Sequence, residues 1–258
     1  MSEQLLILLP PSETKTDGGN SPFPPDRRWP ELDPIRESLA EDLIALSSGD
    51  PGRAATALKI SAKQAERELA RNRELASPRH RPAVERYTGV LYDALDATSL
   101  APPARAWLHG HVAIHSALYG LVGAGEGIAA YRLSHNSRPG GESLKARWRT
   151  AVAAALRDHE GPVLDLRSKG YVELGPLDGS ARRAWANVAE RGPDGSLKSL
   201  NHFNKQSKGA LVRMLANRLA GAGEPAGLQE LAEALAPEFE LETVEDGLVN
   251  IVRNPSEA

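Results

Sequence analysis

Apolar residues recur in this chain with two periods, and the contrast between them sorts its elements. Leu5-Leu6-Ile7-Leu8-Leu9 is an unbroken aliphatic run closed by Pro10-Pro11. It is too short for a free-standing helix and lacks the alternation of a half-exposed strand, so it predicts a strand buried on both faces of a mixed or parallel sheet. Val163-Leu164-Asp165-Leu166 repeats the design, and His111-Val112-Ala113-Ile114-His115 reads as another strand. Residues 184–190 and 197–204, flanking Pro193-Asp194-Gly195, predict a β-hairpin. Residues 239–244 and 248–253, joined at Glu245-Asp246-Gly247, predict a closing acidic hairpin at a sheet edge.

Between these runs the spacing is helical. Ile35, Leu39, Leu43 and Leu46 follow Pro34 and stop at Ser47-Ser48-Gly49-Asp50-Pro51. Leu144, Trp148, Val152 and Leu156 recur every four residues and predict an amphipathic helix over one sheet face. Shorter helices are expected at 54–58, 64–75, 82–88, up to Leu95, and at 102–108, with one from about Gln206 to Leu219 and another at 225–235. Proline and glycine make 18–34 a surface loop, and the glycines from Gly120 to Gly127 predict a second loop. Without an internal repeat or a long low-complexity linker, the expectation is an α/β (α+β) fold. It comprises one domain over 1–258, with a mixed β-sheet flanked by helices.

Composition narrows the chemistry. The 258 residues include no cysteine, which excludes disulfides, thiolate metal sites and cysteine catalysis. Met214 is the sole methionine besides the initiator, so little sulfur is open to oxidation. No apolar run is long enough to span a bilayer, and Met1-Ser2-Glu3-Gln4 lacks the basic start of a signal peptide, so the expected location is cytoplasmic. The net charge of -3 makes no global case for nucleic acid, but its distribution is uneven. Residues 196–220 hold Lys198, Lys205, Lys208, Arg213 and Arg218 and no acid, and residues 53–86 are also rich in Lys and Arg. A chain segregated in this way can carry a basic cleft.

Polar sets follow the predicted strands: Ser12, Lys15 and Thr16 after the first, Ser168, Lys169 and Tyr171 after the Val163 strand. Lys205 and Lys208 are placed at the first turns of the 206–219 helix, where free N–H groups favour an anion. With Tyr119 and Arg132 these groups suit phosphate. The turn Lys59-Ile60-Ser61-Ala62-Lys63 joins two short helices as in a helix-hairpin-helix, which grips a DNA backbone through N–H groups and cations. No Walker A sequence, nucleophile elbow or kinase set occurs, and Gly123-x-Gly125-x-Gly127 has the wrong interval for a dinucleotide fingerprint, so no cofactor is expected. His109, His111 and His115 would share one face of a strand, yet no carboxylate lies nearby to complete a metal site.

Six segments occur together in one order: Leu-Leu-Ile-Leu-Leu-Pro-Pro-Ser-Glu-Thr-Lys-Thr from Leu5, Arg86-Tyr-Thr-Gly-Val, Ser116-Ala-Leu-Tyr-Gly-Leu, Ala130-Tyr-Arg-Leu, Val163-Leu-Asp-Leu-Arg-Ser-Lys-Gly-Tyr and His202-Phe-Asn-Lys-Gln-Ser-Lys-Gly. Over residues 5–215 the chain resembles the YaaA-type peroxide stress proteins. The resemblance implies a mixed α/β domain with a positively charged cleft beside a helix-hairpin-helix-like element at about 54–75. It also implies sequence-nonspecific binding of duplex DNA and a role in limiting iron-dependent oxidative damage. Carried over by position, it marks Ser12, Lys15 and Thr16; Tyr87, Thr88 and Gly89; Ser116, Tyr119 and Gly120; Tyr131 and Arg132; Ser168 and Tyr171; and Lys205 and Gly209. Gly123-Ala124 departs from an Arg-Pro pair that many members carry. The expected anion-binding set is thus Ser12, Lys15, Thr16, Lys59, Lys63, Tyr87, Tyr119, Arg132, Ser168, Lys169, Lys205 and Lys208. Two functions compete: a DNA-binding stress protein without classical catalysis, and an enzyme acting on a nucleotide or nucleobase.

Overall fold

The computed structural model describes residues 4–20, 27–179, 182–191, 196–198, 201–223, 225–245 and 247–253. Among them β1 (Leu6–Leu9) is followed by α1 (Asp33–Ser48), α2 (Pro51–Leu58) and α3 (Ala62–Arg73). Then come β2 (Arg81–Pro82), α4 (Ala83–Arg86), α5 (Val90–Leu95), α6 (Pro102–His111), β3 (Val112–Ser116), β4 (Gly120–Gly123) and β5 (Gly127–Ile128). Next are α7 (Leu144–Arg157), β6 (Val163–Asp165), α8 (Lys169–Val172), β7 (Arg183–Arg191) and β8 (Leu197–Lys198). The last elements are α9 (Asn201–Leu219), α10 (Leu228–Leu235), β9 (Phe239–Glu245) and β10 (Leu248–Arg253).

The main sheet has the order β4-β3-β1-β6-β7-β10-β9, with β8 added alongside β7. β1 is parallel to β3 and β6, β6 to β7, and β7 to β10. β4 and β9 run antiparallel at the two ends. The fold is therefore mixed α/β, as the alternation of runs predicts. β1 is central and fully buried because each of its side chains faces helices on one side or the other. After β1 the chain builds the sheet in one direction, to β3 and β4, and then returns to β6 and continues on the opposite side. Such a switch leaves a crevice outside the carboxyl ends of the two adjoining strands.

The exposed edge at β4 is closed by α1. The buried guanidinium of Arg36 donates to the carbonyls of Tyr119 at 2.8 Å and Leu121 at 2.6 Å, which covers strand acceptors that would otherwise invite another chain. Along α7, Leu144, Trp148, Val152 and Leu156 are buried as their spacing predicts, and the Trp148 indole donates to the Ala117 carbonyl at 3.0 Å.

Several expectations are corrected. The glycine-rich stretch 120–127 is not a loop, since it contains β4 and β5. Gly120 is there for space and conformation: its φ is +63°, and a Cβ would lie 2.8 Å from the Trp148 ring. The three histidines do not share a strand, because α6 continues through His111 and only His115 lies on β3. The predicted second hairpin arm is cut short. β8 is two residues long, and α9 begins at Asn201 rather than near Gln206. Lys205 and Lys208 thus lie inside the helix, which removes the helix-start anion site. The helix expected from Pro225 begins at Leu228. Pro193-Asp194-Gly195 and Asp246 lie outside the described residues.

Candidate phosphate-binding cleft

A cavity of about 650 Å³ opens at the switch between β1 and β6. Its walls come from four parts of the chain: residues 10–14 after β1, residues 88–92 at the start of α5, residues 167–171 after β6, and Trp185, Asn187, Asn204, Lys205 and Lys208 from β7 and α9. The β1 exit is held by a backbone ladder in which Thr16 N donates to Arg86 O at 2.9 Å and Thr88 N to Thr14 O at 3.2 Å. This pairing stacks the hydroxyls of Ser12, Thr14 and Thr88. Ser12 Oγ lies 3.2 Å from Thr14 Oγ1, to which Thr88 Oγ1 donates at 2.9 Å.

Arg86 anchors the same loop from beneath. It is fully buried and donates to the carbonyls of Thr16 at 2.6 Å, Gly18 at 2.7 Å, Arg79 at 2.9 Å and Ile128 at 3.1 Å. Burial brings its pKa down to about 10.

The opposite wall hangs from α9. Gly209 lets that helix approach α5, since a Cβ there would meet the Leu91 carbonyl at 2.1 Å. The close approach sets Lys208 at the cavity floor, where it is 6% exposed and donates from Nζ to Leu166 O at 2.8 Å. Burial, with Asp165 opposing and Lys205 adding to the effect, lowers its pKa to about 8. Lys169 and Lys205 are exposed at the mouth. Among the described lining residues Glu13 is the one carboxylate. It is already engaged, with Oε2 2.8 Å from Arg132 Nη1 and Oε1 accepting from Ser134 Oγ at 2.6 Å. The surplus charge of the cleft is therefore positive, which suits an anion.

Of the residues expected from sequence, Ser12, Thr88, Gly89, Ser168, Lys169, Tyr171, Lys205 and Lys208 meet in this cavity. Lys15, Thr16, Tyr87, Tyr119 and Arg132 are not among its lining residues. Lys15 points inward: its ammonium donates to Ser12 O at 2.9 Å and sits 4.1 Å from the centre of the Tyr131 ring. Burial is the main cause of a pKa lowered to about 7. Tyr131 in turn bonds Tyr87 at 2.9 Å and Ser116 at 2.8 Å. Thr16 Oγ1 donates to the Glu85 carbonyl at 3.3 Å, and Tyr119 OH accepts from Ala129 N at 3.3 Å. Lys15 and Thr16 thus make contacts within and beside the loop after β1, Tyr87 bonds Tyr131, and Tyr119 bonds the chain just after β5.

Lys59 on the turn between α2 and α3 and Lys63 in the first turn of α3 are exposed, away from the cavity lining. The turn itself is tight. Lys59 adopts φ 54° and ψ 44°, its N–H returns to Thr56 O at 3.2 Å, and Ile60 N bonds Ala55 O at 3.0 Å, the pattern of a left-handed helix C-cap. Ser61 then opens α3, with its N–H and Oγ both donating to Gln64 Oε1, at 3.3 and 2.9 Å.

Sequence reading missed Thr14, Trp185 and Asn187 as wall residues. Alternation along β7 could have placed the last two together, since Ala184, Ala186 and Val188 are buried and Trp185 and Asn187 fall on the other face. Thr14 and Thr88 lie 74 residues apart and carry no local signal of their meeting. Among the described residues no group of three or more His, Cys, Asp or Glu is placed to hold a metal ion, and no helix is long and apolar enough to cross a membrane.

The family model described as Peroxide stress protein YaaA matches residues 5–239, which includes every wall of the cleft. A UPF0246 protein of Corynebacterium efficiens is 44% identical over 219 residues, covering 82% of this chain and 85% of its own. A UPF0246 protein of Corynebacterium glutamicum is 40% identical over 238 residues, covering 89% and 92%. One from Streptomyces coelicolor is 38% identical over 238 residues, covering 90% and 89%. With a family match across most of its length and relatives this similar over nearly their whole chains, the protein belongs to the YaaA family of peroxide stress proteins.

Proposed function

We propose that this protein binds duplex DNA without regard to sequence, and that by doing so it limits iron-dependent oxidative damage during peroxide stress. The observation that carries the proposal is the cationic cleft at the β1/β6 switch, with Lys169 and Lys205 exposed at its mouth and its carboxylate, Glu13, paired with Arg132. Backbone phosphates are its natural ligands, because exposed ammonium groups release condensed counterions when they neutralise phosphate. The α2–α3 turn supports the same reading. A lysine occupies the left-handed position that glycine adopts without strain, so the cation at Lys59 is kept at a conformational cost. Lys59 and Lys63 act there as a second phosphate contact, in the manner of a helix-hairpin-helix.

The volume of the cavity favours a second ligand class. About 650 Å³ flanked by Tyr92, Tyr171 and Trp185 is the size of a small-molecule pocket, as a nucleotide would require. One experiment separates the two. Affinity for an intact duplex of scrambled sequence is measured across salt concentrations for the wild type and for the Lys169→Glu/Lys205→Glu variant, and a nucleotide panel is tested by thermal shift. DNA binding predicts a log–log salt slope of about -0.9 per neutralised phosphate, reduced by roughly two contacts in the variant. Salt-independent or absent duplex binding, together with a thermal shift from a free nucleotide, would replace it with the nucleotide reading.

A further inference from the structure

We propose that the ε-amine of Lys208 forms a Schiff base with the ring-opened aldehyde of an abasic deoxyribose in duplex DNA, so that the cleft carries lyase-type chemistry at damaged sites. The proposal rests on the duplex-DNA reading above and names what enters the cavity.

Among the described residues Lys208 is a buried amine without a counter-ion. The carboxylate whose charge opposes that burial, Asp165, has both oxygens occupied by Arg167: Nε donates to Oδ1 at 2.8 Å and Nη2 to Oδ2 at 2.6 Å. Lys208 forms no ion pair among the described residues, and its one described acceptor is the neutral Leu166 carbonyl. Lys205, on the same helix, further disfavours the charged form. A desolvated amine beside another cation is the established way to keep lysine nucleophilic towards carbonyls at neutral pH. Lowered to about 8, the group holds roughly a tenth of its population as free amine at pH 7, against well under a hundredth for an ordinary lysine.

The cavity matches the substrate in size and charge. A volume of about 650 Å³ admits one nucleotide-sized unit and excludes a duplex, so the group reaching Lys208 must first leave the helical stack. Extrusion is least costly where the nucleotide is damaged, and a sugar that has lost its base has no pairing or stacking to break. Lys169 and Lys205 at the mouth suit the flanking phosphates, and the Ser12, Thr14 and Thr88 hydroxyls line the route inward.

In the reaction the Nζ lone pair attacks C1′ of the aldehyde, and the carbinolamine loses water to leave a protonated C=N bond. The C2′ proton, now acidic, passes to water. Its electron pair forms the C2′–C3′ double bond as the C3′–O bond breaks, and the 3′ phosphate leaves. Hydrolysis of the C=N bond returns the free amine, and no oxidant or reductant is consumed.

Borohydride supplies hydride to the C=N bond and freezes it as a secondary amine, which gives the test. Full-length protein is incubated with borohydride and an abasic-site duplex, an intact duplex, or free 2-deoxyribose 5-phosphate, and adducts are located by peptide mass mapping. The expected result is an adduct with the abasic duplex, mapped to Lys208 in the unmodified protein and abolished in Lys208→Met. Intact-duplex binding without any trapped adduct overturns the inference and leaves the DNA-binding proposal standing. An adduct at a different amine overturns it too, and so does trapping of the free sugar phosphate alone, which would point to a small-molecule substrate. Absence of both duplex binding and trapping removes the two proposals together. Mapping on the unmodified protein keeps the outcome readable if Lys208→Met fails to fold.

Discussion

Arg167 is fully buried, and its guanidinium reaches in three directions: to both oxygens of Asp165, to the Gly175 carbonyl at 2.9 Å, and to His115 Nδ1 at 2.8 Å. Since Nη1 donates to Nδ1, the His115 proton resides on Nε2 and the ring is neutral. Burial first, and Arg167 second, hold its pKa well below the usual histidine value. Both charges of the pair are out of water, so removing one strands the other. Asp165→Asn is expected to lose about 3–5 kcal/mol of stability, read as a lower urea midpoint. An unchanged midpoint would mean that Arg167 is neutralised elsewhere. In sequence, Asp165 is merely a polar residue within a strand and Arg167 one of several polar residues after it. Their pairing fixes the loop that presents Ser168 and Lys169, and nothing in the local pattern announces it.

At the scale of elements, the α2–α3 hairpin was legible as two helices with a basic turn between them, since its apolar spacing and Ser61-x-x-Gln64 are local signals. What the turn does conformationally was not, because no glycine marks the left-handed residue. Replacing Lys59 with glycine relieves the strain at φ 54° and is expected to stabilise the fold by about 0.5–1 kcal/mol. The same change removes a cation, so duplex affinity should fall equally for all sequences even as the thermal midpoint rises. Stabilisation with undiminished affinity would take this turn out of the DNA interface. The α9 boundary failed for the opposite reason. Polar residues around Asn201 carry strand and turn character in isolation, but in the fold α9 begins at Asn201, and Gly209 packs the helix against α5.

In the molecule as a whole, two buried lysines couple stability to pH. Lys15 is lowered to about 7 and Lys208 to about 8, each from 10.5. Between about pH 7 and 10 the unfolded chain therefore binds more protons than the folded one. Stability should rise with pH across that window, by at most about 1.4 kcal/mol per unit for each lysine. Above pH 10 the direction reverses, because burial raises the phenols of Tyr87, Tyr92 and Tyr131, and the unfolded chain loses those protons first. Urea midpoints measured from pH 7 to 10 should climb in the wild type and climb less in Lys15→Met. Equal slopes would show that Lys15 stays charged in the folded protein.

The sequence by itself determined the buried central strand, the mixed α/β class, most helices and the family, because each rests on apolar spacing or on short motifs contiguous in the chain. It also named eight of the residues that line the cleft, since polar exits from buried strands collect where parallel strands end and the family motifs mark neighbouring positions. Only the tertiary structure decided which polar groups face one another. Lys15, read from sequence as a cleft cation, is folded under the loop onto Tyr131, whereas Lys208, expected at a helix start, became the cleft floor. The reason is that a lysine's environment is set by elements far away in the chain. Burial between strands and helices, and not the neighbours in sequence, decides whether its amine is a surface charge, a structural donor or a reactive base.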